Sequence, residues 1–514
     1  MSFLFRTSIL LAIFFGLEKL LGFARQVLIA REFGLSPALD AFNAANNLPD
    51  LLFALISGGA LAIAFIPVLS EYLQTRGRSD AWLLFSRVAN LIFLLTAGLS
   101  IIIAVFAPQI VNSQIGIAPG FSVEQRALVA ELMRLNLIAT LLFSMSGLVM
   151  AGLQANQHFL LPAIAPSMYD VGTLVGVLIL APETGIRLGP LTLPAFGLGI
   201  YGLVYGVILG ALLFLVIQIP GLIKYGFRWK ASLNLRDPGI QQVLALMGPR
   251  VITVLFIQLI FIAQDNLASR VGTGAVTALV YGWLFMQVPE TLIGTAIGTA
   301  LLPTLSEQVT RREVETFTST LYKSIQIILA LTLPLTLLLS IVIQPVVELL
   351  GFDAAGTEMV VWTSRAFMLG LIGQCLIEVA ARAFYAHQDA RTPLLASGLT
   401  LVLFIGAGIL LFRPLGAPGI ALANSFAFTA EAFVLLFLIN RRYQGLTKIT
   451  SALPRIGAAA LVGAAVAFAV LALTRSISAT LIVQLVAAAA ALLLGSLAVL
   501  PFIWKQELRA LVRL

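Results

Sequence analysis

The chain has 514 residues, of which 60% are hydrophobic and only 11% are charged, whereas soluble domains average about 25% charged residues. With a mean hydropathy of +1.02, this composition excludes a soluble globular protein and predicts a polytopic membrane protein. The net charge of +8 indicates basic loops beside anionic lipid, so we expect no nucleic-acid partner. One cysteine, Cys375, and two histidines exclude an internal disulfide and a Cys- or His-based metal site, and we expect no cofactor.

The apolar segments predict an all-α protein of about fourteen transmembrane helices, because a helix needs roughly 20 residues to cross a hydrocarbon core of about 30 Å. They lie near residues 7–31, 40–69, 82–108, 127–153, 159–181, 194–222, 240–270, 274–304, 317–347, 359–385, 392–412, 417–440, 454–474 and 479–503. The first segment contains Glu18 and Lys19, so we expect it to be a retained span and not a cleaved signal peptide.

The distribution of basic residues between the loops predicts the orientation. With the N-terminus inside, the inner segments hold 16 Lys and Arg residues and the outer segments hold 6. Cytoplasmic loops carry the excess of Lys and Arg in membrane proteins. We therefore predict a multi-pass protein whose two termini are both cytoplasmic.

An internal repeat divides the chain. Pro67-Val-Leu-Ser-Glu71 returns as Pro303-Thr-Leu-Ser-Glu307, and Ala155-Asn-Gln157 returns as Ala386-His-Gln388 at an offset of 231 residues, which Arg134 and Arg365 share. Six spans per copy give both copies the same topology, so a pseudo-two-fold axis along the membrane normal should relate them. We predict an N-terminal six-helix lobe over 1–230, a C-terminal six-helix lobe over 231–448 and two extra helices over 449–514. Two such bundles around a central space are typical of a transporter.

Most of the ionisable residues within the spans lie in the first two helices of each copy. A charge at membrane depth costs several kcal/mol unless it faces protein or water, so such residues are candidates for function. The candidate substrate-binding residues are Lys19, Arg25, Asp40, Asp50, Arg250, Asp265, Arg270 and Glu290. The alternative is that they form ion pairs that hold the bundle together, and for Asp170, Glu378 and Glu431 structural pairing is the favoured interpretation.

Four segments near the N-terminus carry a resemblance to a known family. The run GFARQVLIAREFG over 22–34, Asp40-Ala-Phe42, Leu48-Pro49 and the run AFIPVLSEY over 64–72 resemble the MurJ (MviN) family of lipid II flippases. That family belongs to the multidrug/oligosaccharidyl-lipid/polysaccharide exporter superfamily. The resemblance extends over the whole chain, including the two extra C-terminal helices.

The resemblance implies a transporter and not an enzyme. It implies 6+6+2 helices, a central cationic cavity in which Lys19 and Arg25 match basic positions of the family, and a groove at the last two helices for a prenyl tail. The expected function is the transfer of lipid II, a polyprenyl-diphosphate-linked saccharide, from the inner to the outer leaflet of the bacterial cytoplasmic membrane by alternating access. This step belongs to peptidoglycan biosynthesis and hence to cell wall biogenesis and cell shape.

Three residues depart from the family pattern. Phe53 stands where better-known members have an arginine, Leu284 replaces the arginine of a Tyr-x-x-Arg pattern, and Gln287 replaces a nearby acidic residue. We expect Arg250, which follows Gly248-Pro249, to supply the missing second-lobe charge. The departures leave the exact lipid-linked substrate open.

Other functions are weighed against this one. A flippase for another polyprenyl-linked saccharide fits the missing arginines, and a drug/cation antiporter of the same superfamily predicts a mainly acidic cavity. A membrane glycosyltransferase needs a catalytic acid and a sizeable outer loop, but the longest outer loop, 109–126, has Glu124 as its only acid. No nucleotide-binding P-loop is present, so a coupling ion or the membrane potential should supply the energy.

Overall fold

The α-helix dominates the structure because a bilayer offers no water to satisfy the backbone, so each segment must form its hydrogen bonds internally. The computed structural model describes residues 3–56, 59–185, 187–188, 191–443, 452–477 and 480–503. Within these residues the chain forms two compact units, Met1–Thr273 and Gly274–Leu514.

The first unit contains ten α-helices and one short hairpin among its described residues. The helices are α1 (Phe3–Phe33), α2 (Pro37–Ala45), α3 (Asn47–Ile56), α4 (Gly59–Thr75), α5 (Arg78–Asn112), α6 (Val123–Ala155), α7 (Leu160–Val175), α8 (Ile200–Val216), α9 (Ile219–Lys224) and α10 (Pro238–Ala268). A π-helical turn, Gly176–Leu180, extends α7. The hairpin pairs β1 (Arg187–Leu188) with β2 (Leu191–Thr192) in antiparallel register.

The regular secondary structure of the second unit, within its described residues, is entirely helical. Its helices are α11 (Ala275–Glu290), α12 (Ala296–Thr310), α13 (Val314–Glu348), α14 (Ala354–Leu369), α15 (Leu371–Ala386), α16 (Arg391–Tyr443), α17 (Leu453–Ile477) and α18 (Leu481–Ile503). A π-helical turn, Thr291–Thr295, joins α11 to α12. The 53-residue α16 consists of two helices that meet at Gly416, whose φ of 62° is readily adopted only by glycine.

The predicted class, an all-α polytopic membrane protein, is confirmed. Within the described residues, eleven helical stretches have the length and composition needed to cross a membrane. One of these stretches is the bent α16, which coincides with two predicted spans. The count of fourteen spans and the lobe boundaries at 230/231 and 448/449 stay predictions. Contacts divide the chain at Thr273/Gly274 instead, which places α10 with the first unit.

The predicted second span, 40–69, is broken into α2, α3 and α4. The first break lies at two adjacent asparagines, whose side chains compete with the helical hydrogen-bond ladder. The Asn46 carboxamide oxygen accepts from Asn136 on α6 at 2.6 Å. The Asn47 carboxamide nitrogen donates to Asp265 on α10 at 2.6 Å. The break therefore ties this segment to two neighbouring helices. Residues 57 and 58, between α3 and α4, lie outside the described part.

The internal repeat reappears in backbone geometry. Gln157 and Gln388 have φ values of 57° and 59°, so each ends its helix in the left-handed conformation. The next residue donates back to the helix in both copies, from His158 to the Leu153 carbonyl at 2.9 Å and from Asp389 to the Phe384 carbonyl at 3.0 Å. This is the Schellman pattern of a helix end. The repeated motif is thus a helix terminator in both units.

The second repeated feature is a side-chain hydrogen bond between helices. Arg134 on α6 donates through Nε to the Ala104 carbonyl of α5 at 2.8 Å. Arg365 on α14 donates through Nε to the Ser340 carbonyl of α13 at 2.9 Å. The equivalent arginines of the two copies therefore satisfy a carbonyl of the preceding helix in the same way.

Glycines bring α7 and its π-helical turn into backbone contact with α8. A Cβ atom on Gly172 would lie 2.2 Å from the Gly210 nitrogen, and one on Gly206 would lie 2.6 Å from the Gly176 Cα. On each helix the glycines are four residues apart and therefore share one face. The two backbones meet because neither side carries a side chain there.

We expect Gly206→Ala to destabilise the protein by about 2 kcal/mol or more, since the new methyl group meets backbone that cannot move aside. The matched control is Gly98→Ala on α5, where nothing lies within 4 Å of the added atom. Thermal unfolding in detergent measures both. Equal melting temperatures for the two variants would contradict the close α7–α8 contact.

Candidate functional site

A cavity of about 530 Å³ lies inside the first unit. It is bounded by helices that are distant in sequence, so the fold and not a local motif creates it. The residues that form its wall are Glu18 and Arg25 of α1, Asn46 between α2 and α3, Pro49, Asp50 and Phe53 of α3, Asn136, Ala139, Thr140, Phe143, Gly147 and Met150 of α6, Pro166, Tyr169 and Asp170 of α7, and Val207 and Phe214 of α8.

Arg25 is held in the cavity wall by two contacts. Its Nη1 lies 2.8 Å from Oδ1 of Asp170, and the two side chains are only 16% and 4% exposed. The guanidinium carbon also lies 4.9 Å from the centroid of the Tyr169 ring. Gly22, one turn before Arg25, lies beside the same carboxylate, and a Cβ there would make ordinary van der Waals contact with it at 3.8 Å. Arg25 thus forms an ion pair, which is the kind of interaction given as the alternative to substrate binding, and its partner, Asp170, was not identified from the sequence.

Asp50 contributes a second charge to the same wall. It lies in the first turn of α3 and is exposed to the cavity, and its carboxylate forms no ion pair with a described residue. The side-chain amide of Gln258 on α10 donates to the Asp50 carbonyl at 3.2 Å, which fixes α3 beside α10. The structure therefore brings Arg25 and Asp50, two of the predicted site residues, to one cavity.

Aromatic rings form much of the remaining wall. Phe143 packs against Tyr169, Phe214 and Phe53, with centroid distances of 5.3, 5.8 and 5.9 Å. Phe53 therefore belongs to an aromatic cluster that lines the cavity. The sequence did not single out Phe143, Tyr169 or Phe214, because Phe and Tyr occur in any membrane span. The one available signal was Tyr169-Asp170, two successive polar residues within an apolar helix.

Asp40 and Asp265 do not belong to the cavity wall. Asp40 in α2 is fully buried, and Asp265 in α10 is 6% exposed and accepts the hydrogen bond from Asn47. This hydrogen bond joins α3 to α10 at the break in the predicted second span.

The remaining predicted site residues lie elsewhere. Lys19 is 77% exposed and its Nζ contacts the neighbouring Glu18 carboxylate at 3.3 Å. Arg270 donates to the Gln114 carbonyl at 2.8 Å and ties the α5–α6 loop to the end of α10. Arg250 lies within α10, and its side chain is outside the described part of the structure. The expectation that Arg250 supplies the missing second-lobe charge stays a prediction, and so does the binding role of every residue in the predicted set.

Glu290 belongs to the second unit. Its carboxylate accepts hydrogen bonds from the hydroxyl groups of Thr295 at 3.1 Å and Thr291 at 3.3 Å. The place of Glu290 at the π-helical turn after Pro289 gives it these two partners within its own unit. Glu378 of the same unit forms an ion pair with Arg382 at 2.7 Å. Glu431, another acid of this unit, is held by the hydroxyl groups of Ser397 and Thr400.

The charges of the cavity define what it can bind. Its described wall holds three carboxylates, those of Glu18, Asp50 and Asp170, and the single guanidinium of Arg25. When all are ionised, the wall attracts cations. Arg25 contacts Asp170 through Nη1, and its guanidinium has further N–H groups that can donate to an anion. No group of three or more His, Cys, Asp or Glu residues within the described chain is arranged to hold a metal ion.

Comparisons with known proteins identify relatives over nearly the whole chain. Residues 29–492 match the family model described as lipid II flippase MurJ. The lipid II flippase MurJ of Burkholderia cenocepacia is 30% identical over 451 residues, which cover 85% of this chain and 84% of the relative. The resemblance seen in the sequence is therefore confirmed.

Solved structures agree at the level of the fold. A lipid II flippase MurJ in an inward closed conformation matches with a TM-score of 0.76 at 21% identity and covers 95% of this chain and 98% of the other. An inward-facing multidrug resistance transporter of the MATE family, from the MOP superfamily, matches with a TM-score of 0.66 at 16% identity and covers 84% and 96%. The architecture is thus the one that these transporters share.

The Arg25–Asp170 pair predicts a specific pattern of stability. Arg25→Gln or Asp170→Asn alone should lower the free energy of unfolding by about 3 kcal/mol, because each leaves a mostly buried charge unpaired. The double variant should lose less than the sum by about 1–3 kcal/mol. A double-mutant cycle on unfolding in detergent measures this coupling.

The exposed pair Arg311–Glu307, with side chains 64% and 60% exposed, is the control, and its removal should change stability by less than about 1 kcal/mol. Strictly additive losses at Arg25 and Asp170 would show that the two side chains do not depend on each other.

Proposed function

The chain belongs to the lipid II flippase MurJ family, and from that membership we propose that it moves lipid II from the inner to the outer leaflet by alternating access. The observation that carries the proposal is the family match over residues 29–492. The family is one of transporters, and a multi-pass membrane protein with lipid substrates fits its helices and composition.

Arg25 is proposed to bind the diphosphate of the substrate from the first unit. A guanidinium suits this role because it binds phosphate oxygens through paired hydrogen bonds. Asp170 and the Tyr169 ring hold Arg25 at the cavity wall, so that the side chain is already desolvated and oriented. A diphosphate bound through paired hydrogen bonds that include Nη1 would displace Asp170 from its contact with Arg25. Lys19, exposed on the same helix, is proposed to contribute a second cation.

The acidic residues of the cavity are proposed to bind the coupling cation or proton. When the substrate occupies Arg25, the Asp170 carboxylate loses its partner and must be neutralised, because an unpaired charge at this depth is costly. Asp50 offers a second carboxylate in the same wall. Since no nucleotide-binding motif is present in the sequence, an ion gradient or the membrane potential would supply the energy.

Two observations keep other substrates in view. Phe53 lines the cavity in place of an arginine, which favours a polyprenyl-linked saccharide other than lipid II as the second candidate. The excess of carboxylates in the described cavity wall favours cation binding, as in a drug/cation antiporter of the superfamily. In the flippase proposal the same carboxylates bind the coupling cation or proton, and Arg25 binds the diphosphate. This one function therefore accounts for both the acids and the arginine of the cavity wall.

Removal of either proposed cation should reduce transport. We expect Arg25→Ala to abolish complementation in a bacterium depleted of its own flippase, and Lys19→Ala to reduce the rate at which the lipid II headgroup becomes accessible outside. Arg25→Lys should retain partial activity, because it keeps the charge and loses the paired hydrogen bonds. The control Arg311→Ala removes an exposed cation of the second unit. Normal complementation by Arg25→Ala at normal protein level would end the proposed role.

The proposed orientation, with both termini in the cytoplasm, is testable by cysteine labelling in a Cys375→Ser background, since the native cysteine is buried. Ile115→Cys and Ala355→Cys occupy exposed positions and should react with an impermeant reagent from outside. Asn234→Cys and Glu313→Cys, also exposed, should react only after the membrane is permeabilised. The opposite labelling of either pair would overturn the orientation.

A further inference from the structure

A second cavity of about 530 Å³ lies in the first unit, away from the aromatic and acidic one. It is formed by the first turns of α5 together with the end of α9 and the loop after it. Its wall includes Arg78, Lys224, Arg228, Lys230, Trp82 and Tyr225. We call it the basic pocket. The transport mechanism proposed above makes no use of it.

The charge of the basic pocket is of one sign. The nine described residues that line it include four cations and no Asp or Glu, and none of these cations forms an ion pair with a described residue. Asp237, an acid in the following loop, is already bound by Arg87. Asp80 lies in the first turn of α5 without lining the pocket. Four uncompensated cations around one cavity indicate an anionic ligand.

The loop that carries two of these cations is held in place by α5. Trp82 donates through its indole nitrogen to the Tyr225 carbonyl at 3.1 Å. The Lys230 backbone nitrogen donates to the Ser86 hydroxyl at 3.2 Å, and the Asn90 carboxamide donates to the Lys230 carbonyl at 2.9 Å. The backbone that bears Arg228 and Lys230 is therefore fixed before any ligand binds, which lowers the entropic cost of binding.

Tyr225 and the start of α5 add to the recognition of an anion. The Arg78 guanidinium carbon and the Lys224 nitrogen lie 5.8 and 5.9 Å from the centroid of the Tyr225 ring, so both cations converge on one side chain. Gly77 precedes α5 and has no side chain to cap it. The first backbone N–H groups of this 35-residue helix are thus left for a ligand, and they favour negative charge.

The surroundings place this pocket at the boundary between lipid and water. It lies where two apolar spans end, at the first residues of Arg78–Asn112 and the last residue of Ile200–Lys224. Ile223 and Trp229, next to the pocket cations, are 70% and 63% exposed. Exposed Trp beside Lys and Arg at the end of a span is typical of the membrane interface. A ligand with both a phosphate and an acyl chain fits this combination better than a free phosphate.

We propose that the basic pocket binds the phosphate of an anionic phospholipid headgroup, whose acyl chains lie along the apolar ends of α5 and α8–α9. The four cations and the N-terminus of α5 bind the phosphate, while Ile223 and Trp229 contact the start of the chains. This lipid is a bound partner of the first unit and is separate from the substrate in the acidic cavity.

The test uses full-length protein in neutral detergent and native mass spectrometry. The protein is titrated with dioctanoyl phosphatidylglycerol, dioctanoyl phosphatidylcholine and inorganic phosphate. The double variant Arg228→Gln/Lys230→Gln should weaken phosphatidylglycerol binding roughly 25-fold, since each interfacial cation contributes about fivefold. The control Arg236→Gln/Arg311→Gln also removes two exposed cations, neither of which lines the pocket, and should change binding less than about twofold.

Each other outcome overturns the proposal. Equal weakening in the pocket and control variants would show non-specific attraction, and unchanged binding in both would show that the lipid binds elsewhere. Inorganic phosphate that binds as tightly as phosphatidylglycerol would assign the pocket to a free anion, and equal binding of phosphatidylcholine would remove the role of net charge. Melting temperatures verify folding, and Arg78→Gln/Lys224→Gln repeats the test from the other side of the pocket.

Discussion

The ion pair between Arg25 and Asp170 is the constraint on which the first unit depends most. An arginine at this depth costs about 3 kcal/mol or more if it faces lipid, so α1 must bury it against a helix that offers a carboxylate. Asp170 on α7 is that partner, 145 residues later in the chain, and Tyr169 beside it covers the guanidinium. The pair fixes the facing sides of α1 and α7. The helices packed around them then enclose a cavity with a charged wall, and the neighbouring Phe143 and Phe214 complete it.

The features that the sequence predicted correctly are those fixed by local physics. The long, continuous apolar segments determine the all-helical class, because backbone in lipid is satisfied only in a helix or a closed barrel, and barrel strands are short and alternate in polarity. The repeat was equally accessible, since Gln157 and Gln388 adopt the same left-handed conformation and end their helices with the same hydrogen bonds. Arg134 and Arg365 likewise donate to a carbonyl of the preceding helix in both units. Such features depend only on neighbouring residues or on one adjacent helix, so they can be recognised in the sequence.

The features that the sequence could not predict depend on the facing sides of the helices. Distance along a span gives the depth of a charge but not its direction, so Arg25 and Lys19 looked alike although one is buried in an ion pair and the other is 77% exposed. For Asp170 the sequence favoured structural pairing, and the structure shows that its side chain both pairs with Arg25 and lines the cavity. The break at Asn46 and Asn47 was missed because its cause is two partners on other helices, Asn136 and Asp265. In each case the deciding neighbour is distant in sequence.

The location of the charges gives the proposed flippase a simple form of coupling. In the proposed mechanism the diphosphate takes the Nη1 donor of Arg25 that holds Asp170, so substrate binding releases Asp170. The released carboxylate then favours a proton or a cation, and by linkage the cation favours substrate binding to the same extent. Asp50, already without an ion-pair partner among the described residues, lies in the same wall and extends the acidic surface that a cation would meet. In a cavity lined only by cations, binding the diphosphate would release no carboxylate, and no coupling of this kind would arise. In the proposed mechanism, the mixture of acids with one arginine would therefore link an anionic substrate to a cation gradient.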